Sequence, residues 1–229
     1  MLKNHPKAKT IIFDLDDTLY DCSGTLVERG RRQTAKTLAR LINCTEDEAY
    51  HLQYDIEGKY GIKANIYEKI VSHYHLPPAC AKELLQEFIR IDVSNISLFP
   101  DVTDTLSLLK TQGYKLFLVT SGDIQIQEKK IAVLGLRNAY FDEIFITDRD
   151  NNQTKRDCFQ GILDRFHLKA EEIVCVGDKV EDELTAGRSF GMITVTFEHG
   201  RHYKAYLKEP NKSFEPDYSI RHIKELFDA

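Results

Sequence analysis

The sequence predicts an α/β fold, with a parallel sheet wrapped by helices and one inserted all-helical domain. Three observations predict it. Short, continuous apolar runs recur along the chain, helical patterns alternate with the later runs, and a long helical stretch separates the first run from the second.

Taken in order, the runs are residues 11–13, 116–119, 173–176 and 193–197, with a weaker one at 143–146. Unbroken apolar runs of this length suit strands buried on both faces, the condition of a parallel sheet. Between the later runs lie helical patterns at 103–111, 125–134, 157–166 and 181–190. Gly113, Gly135 and Gly191 stand just past three of them, where a helix stop needs a residue free to take positive φ. Regular alternation of strand and helix implies right-handed crossovers and a Rossmann-like core. The tail from His202 to Pro216 reads as a polar loop, followed by a last short strand and helix at 218–227.

The stretch from Tyr20 to Leu98 holds no convincing strand. Val27, Thr34, Leu38, Leu41 and Ile42 recur at helical spacing, Thr45 to Glu48 forms a capping box, and Pro77-Pro78 opens an amphipathic run. The predicted division is therefore a core of residues 1–19 and 99–229 and a helical insertion of 20–98.

Composition narrows the function classes. The 229 residues are 42% hydrophobic and 29% charged, as in an ordinary globular protein, and the net charge of -5 supplies no basic field for a nucleic-acid polymer. Five cysteines without CxxC spacing indicate neither a disulfide framework nor a zinc site. No apolar run approaches the ~20 residues of a membrane span, and the first nine residues lack a signal-peptide core. The expected compartment is the cytosol, the expected state a monomer or weak homodimer, and no membrane partner is expected.

In an open α/β sheet, ligands bind outside the carboxyl ends of the strands. The residues after each apolar run form a coherent set: Asp14, Asp16 and Thr18 after the first, Thr120 and Ser121 after the second, Gly177-Asp178 after the third, with Asp182 and Glu183 a helical turn on. Lys155 precedes the helix leading to the third run. Asp14 and Asp16, two apart in extended chain, are expected to project to one side. With Asp178 they would crowd negative charge that a divalent cation relieves, and all-oxygen ligands point to Mg²⁺. Singly, each is unremarkable: an Asp often caps a helix, a Lys is usually a solvated charge, and Gly-Asp is a common turn.

Together and in this order they resemble the haloacid dehalogenase-like superfamily. Phe13-Asp-Leu-Asp-Asp-Thr-Leu19 is similar to its first signature, Thr120 to its second, Lys155 to its third and Gly177-Asp178 to its fourth. Arg156 departs from the Pro usual after the third-signature Lys. The second acid of the fourth signature is Asp182 or Glu183.

The resemblance implies a helical cap for 20–98 and phosphomonoester hydrolysis of a small phosphorylated metabolite, a nucleotide or phosphosugar among them. It also implies roles: Asp14 the nucleophile, Asp16 the acid and base, Thr120, Ser121 and Lys155 the phosphate holders. Mg²⁺ would be held by Asp14, Asp178 and the Asp16 carbonyl. A phosphosugar mutase shares these residues, a haloacid dehalogenase would have no use for Asp16, and a non-catalytic binding protein would be free to lose them. His199 to His202 reads as a polar loop.

Overall fold

The computed structural model describes residues 1–137, 139–148, 151, 153–212 and 214–228. The chain separates into two compact units, Met1–Asp21 with Val93–Ala229, and Cys22–Asp92.

The first unit is built on a six-stranded sheet, every neighbouring pair parallel. In chain order the strands are β1 (Thr10–Phe13), β2 (Lys115–Ser121), β3 (Glu143–Thr147), β4 (Ile173–Gly177), β5 (Ile193–Phe197) and β6 (Tyr218–Ile220). Their spatial order is β3-β2-β1-β4-β5-β6. Connections run one way from β1 to β2 and β3, and the other way from β4 outward. The reversal leaves a crevice at the carboxyl ends of β1 and β4, where this topology binds ligands. All four residues of β1 and all five of β4 are buried, as expected of strands covered on both faces.

The second unit holds α1 (Glu28–Ile42), α2 (Glu46–Tyr60), α3 (Ile66–His73) and α4 (Ala79–Ile89). A wide turn at Ser23–Val27, closed by the Val27 N–H on the Cys22 carbonyl at 3.0 Å, leads into α1. The unit has its own core, including Leu38, Ala49, Ile56, Ile70 and Leu84. A Cβ at Gly30 would lie 2.6 Å from the Phe88 ring, so glycine there lets α1 and α4 pack closely. At the start of α2 the Thr45 hydroxyl accepts from the Glu48 N–H at 3.2 Å, and Glu48 accepts from the Thr45 N–H at 2.8 Å, which satisfies donors that a helix start leaves open.

The sheet unit adds α5 (Val102–Thr111), α6 (Ile124–Val133), α7 (Lys155–Phe166), α8 (Thr185–Phe190), α9 (Gly200–Lys208) and α10 (Glu225–Asp228). Phe159 and Ile162 of α7 pack with Ile12, Phe117, Val119 and Cys175 from the sheet. Two sequence expectations are corrected. The stretch after His199 begins with the helix α9 rather than a loop, because Tyr206 is buried against the core and its hydroxyl donates to the Phe214 carbonyl at 3.2 Å. The helix expected at 181–190 opens with a wider turn, Val180–Leu184, in which the Leu184 N–H reaches back five residues to the Lys179 carbonyl. No helix among the described residues is long and apolar enough to cross a membrane.

Candidate active site

Beyond Phe13 the chain keeps ladder register with β4 for one more bond, from the Asp14 N–H to the Val176 carbonyl at 2.9 Å. The backbone then turns tightly, with the Leu19 N–H on the Leu15 carbonyl at 3.0 Å and Asp17 at a positive φ of 60°. Leu15, Leu19 and Tyr20 are buried beneath this turn. The Asp14 side chain is thereby fixed at the carboxyl end of β1, beside the end of β4.

Lys155 meets it there. The capping box of α7, in which Thr154 and Asp157 satisfy each other's N–H groups, sets Lys155 at the first helical position. Its ammonium donates to Asp14 Oδ1 at 2.6 Å and to Glu183 Oε2 at 2.8 Å. Lys155 is only 1% exposed, and an ammonium this buried is tolerable only when paired. Burial would lower its pKa; the Asp14 and Glu183 charges win, and hold it well above the usual lysine value.

Glu183 is fixed from its other side, Oε1 accepting the Lys179 N–H at 2.8 Å. A Cβ at Gly177 would lie 2.3 Å from that same Oε1, so only glycine at the end of β4 leaves room for the carboxylate. The wide turn 180–184 brings Glu183 inward, and Asp182 is half-buried. Of the two acids, Glu183 is the one whose ligand atom lies near those of Asp14 and Asp178.

Asp178 has 0% exposure. Among the described residues, neither of its buried carboxylate oxygens finds a hydrogen-bond partner, nor do Asp14 Oδ2 and Thr120 Oγ1. Ligand atoms of Asp14, Asp178 and Glu183 all lie within 4.8 Å of one another. Burial, followed by the Glu183 charge, raises the Asp178 carboxyl well above the ordinary carboxylate range. Burial likewise raises Asp14, against the pull of Lys155. Orphaned buried anions of this kind are costly unless a cation meets them. The donor set, all carboxylate oxygen, fits a hard divalent ion such as Mg²⁺.

Asp16 is held differently. Its carboxylate accepts from Lys130 Nζ at 2.9 and 3.0 Å, from Gln127 Nε2 at 3.0 Å and from the Tyr20 hydroxyl at 2.5 Å. Burial works to raise its pKa, but the Lys130 charge and these hydrogen bonds keep it well below the usual carboxylate range. The two acids that the sequence expects in one site thus have separate cations. Ser121 is also tied elsewhere, its hydroxyl 2.5 Å from Thr147 Oγ1 at the end of β3.

Lys130, Gln127, Tyr20 and Lys179 escaped the sequence reading. A signal existed for two of them: Gln127, Lys130 and Ile131 form the buried face of α6, at spacings of three and four. A further group lies beside the loop that follows β1, where ligand atoms of Asp17, Asp21 and His199 come within 4.8 Å of one another. His199 Nε2 is 3.0 Å from Asp21 Oδ1 and its ring packs edge-on against Phe99.

A sequence profile of haloacid dehalogenase-like hydrolases matches residues 8–191. The chain is 30% identical over 226 residues to a glyceraldehyde 3-phosphate phosphatase of Methanocaldococcus jannaschii, covering 96% of each chain. It is 28% identical to a phosphoglycolate phosphatase of Vibrio cholerae, again over 96% of each. Among solved structures, a HAD phosphatase from Thermococcus onnurineus superposes with a TM-score of 0.62 at 26% identity, over 95% of each chain.

Proposed function

Because the chain belongs to the haloacid dehalogenase-like hydrolases, as a phosphatase of that family, we propose that it hydrolyses a small phosphorylated metabolite through an aspartyl-phosphate on Asp14. The observation that carries this reading is the buried group at the β1–β4 crevice: Asp14 held by Lys155, with Asp178 and Glu183 beside it. A phosphoester anion entering such a site needs positive charge to meet it, and a fixed carboxylate to attack it.

In the first half-reaction a carboxylate oxygen of Asp14 attacks phosphorus. The bond from phosphorus to the ester oxygen breaks, and Asp16, which must first exchange its Lys130 partner for a proton from solvent, gives that proton to the ester oxygen, so the alcohol leaves. In the second, Asp16 takes a proton from water as the water oxygen attacks phosphorus. The bond to Asp14 then breaks, releasing inorganic phosphate and restoring the carboxylate. Splitting one displacement into two, with proton transfer in each, follows from having a nucleophile and a separate acid and base.

Thr120, whose buried hydroxyl has no hydrogen-bond partner among the described residues, and Lys155 would hold the phosphoryl oxygens as charge moves onto them. Ser121 is a lesser candidate, since Thr147 takes its hydroxyl. Asp14, Asp178 and the Asp16 carbonyl would hold Mg²⁺, which supplies Lewis-acid charge to the phosphoryl group. Glu183 seats Lys155 rather than the substrate. The helical unit Cys22–Asp92 is proposed as the family's cap domain. The glyceraldehyde 3-phosphate and phosphoglycolate phosphatases among the relatives support a short phosphorylated carbon acid or aldehyde as substrate class.

The test is phosphate release from a panel of short phosphometabolites, phosphosugars and nucleotides, with Mg²⁺ and with EDTA. Wild type should release phosphate only with the metal, and Asp14→Asn should release none. Equal release by Asp14→Asn overturns the nucleophile assignment.

A further inference from the structure

The end of β2 that carries Thr120 overhangs one of its neighbours. β1 runs beside β2 from Lys115 only to Leu118, whereas β3 runs beside it from Phe117 to Ser121. Thr120 and Ser121 therefore take their ladder partners from β3, an edge strand of the sheet. The Thr120 hydroxyl adds no anchor, since it has no hydrogen-bond partner among the described residues. Its place is inherited from the backbone that carries it.

The β3 side chain that meets this overhang is Thr147. The first four residues of β3 are half-buried, but Thr147, the last, is 3% exposed. Its Oγ1 lies 2.5 Å from Ser121 Oγ and donates to the Thr120 carbonyl at 3.4 Å. A hydroxyl has one proton to give, so with that proton on the Thr120 carbonyl, Thr147 accepts from Ser121. The Thr147 carbonyl accepts in turn from the Gly122 N–H at 3.2 Å. Residues 120, 121 and 122 are thus all gathered on Thr147. β3 is itself held to β2 at its other end, where Asp142 Oδ2 accepts from the Leu116 N–H at 2.7 Å.

We infer that Thr147 is a positioning residue, which sets the phosphate-holding end of β2 from the edge strand through the Ser121 hydroxyl and the Thr120 carbonyl. A valine would serve a strand as well as a threonine does, so the hydroxyl is the part that the strand alone does not require. Ser121 on this view is a link between β3 and Thr120 and not a phosphate holder, because its proton is spent on Thr147. The inference rests on the proposed role of Thr120 in holding the phosphoryl group. It predicts a loss of phosphate affinity that is the same whatever the leaving group, which a role confined to stability lacks.

The experiment titrates inorganic phosphate into the full chain in Mg²⁺ by calorimetry and measures kcat/KM across the ester panel above. Thr147→Val, which keeps the branched shape and drops the hydroxyl, should weaken phosphate by about tenfold and lower kcat/KM at least as much on every ester. Thr147→Ser, which keeps the hydroxyl, should stay within about threefold of wild type. Ser107→Ala, which removes an exposed hydroxyl on α5, should match wild type. Adding Ser121→Ala to Thr147→Val should cost nothing further, since both break one link. If Thr147→Val does not fold, as judged by circular dichroism, Ser121→Ala carries the comparison and should show the same loss. Wild-type phosphate affinity in whichever variant is used, a loss in Thr147→Ser as large as in Thr147→Val, or additive losses in the double variant overturn the positioning role. Thr120→Val separates the two ideas: if it binds phosphate as wild type does, the reading of Thr120 itself fails, whereas a loss there alongside wild-type affinity in Thr147→Val rejects only the inference about Thr147.

Discussion

Lys155 Nζ lies 2.6 Å from Asp14 Oδ1, a residue 141 positions earlier in the chain, and 2.8 Å from Glu183 Oε2. One buried ammonium thus compensates two buried carboxylates. Removing one member of such a group leaves uncompensated charge in a dry place, at a cost of about 3–5 kcal/mol. Lys155→Met should therefore lower stability in urea by roughly that amount in addition to abolishing phosphate release. A variant as stable as wild type contradicts the arrangement.

Glu183 and Asp182 are neighbours in sequence and unlike in setting. Glu183→Gln weakens the seat of Lys155 and should slow turnover by about 10²-fold, the effect of small misplacement at a reacting centre. Asp182→Asn, half-buried and outside the carboxylate group, should stay within about 0.5 kcal/mol of wild type in stability. The reverse ranking in steady-state assays rejects the assignment of Glu183.

Gly177→Ala tests the same seat from the sheet side. The added methyl would fall 2.3 Å from Glu183 Oε1, so the carboxylate must shift and Lys155 with it. A loss of about 10²-fold in kcat with little change in secondary structure is expected, and wild-type kcat in this variant counts against the packing described.

The Asp178 carboxyl, pushed up by burial and then by the Glu183 charge, carries a stability signature. A carboxyl raised in the folded state favours folding below its ordinary value of 3.8, and that stability is lost as pH rises through the raised value. In EDTA, the melting temperature should accordingly fall between pH ~5 and ~8 more steeply in wild type than in Asp178→Asn. Mg²⁺ at neutral pH should restore wild type and leave Asp178→Asn nearly unmoved. No response of wild type to Mg²⁺ in a thermal scan counts against a cation at this group.

How far the sequence reached depended on what kind of signal each part leaves. The strands were legible because burial on both faces writes an unbroken apolar run, as in Ile173 to Val176. Asp14, Thr120, Lys155 and Asp178 drew attention because each adjoins such a run or its helix. The choice between Asp182 and Glu183 was not legible, since regular helical spacing does not foresee the wider turn at 180–184. Lys130 was hidden beside Lys129, and only the packing of α6 tells an inward lysine from an outward one. α9 was missed although Tyr203, Tyr206 and Leu207 recur at helical spacing, because its charged residues made the stretch look like loop.

The position of β1 in the sheet has a consequence for how the molecule comes to exist. β1 precedes the other described strands in the chain, yet Thr10 pairs with Lys115 on one side and with Ile173 on the other. Its apolar residues gain a first partner only with β2, about half-way along this sequence, and the second only with β4. Closing such long loops slows folding more than it weakens the product, since each doubling of loop length costs only about 0.6 kcal/mol. A nascent chain stopped short of β4 keeps an open sheet edge and no catalytic pocket, so premature termination yields an aggregation hazard instead of a weak enzyme.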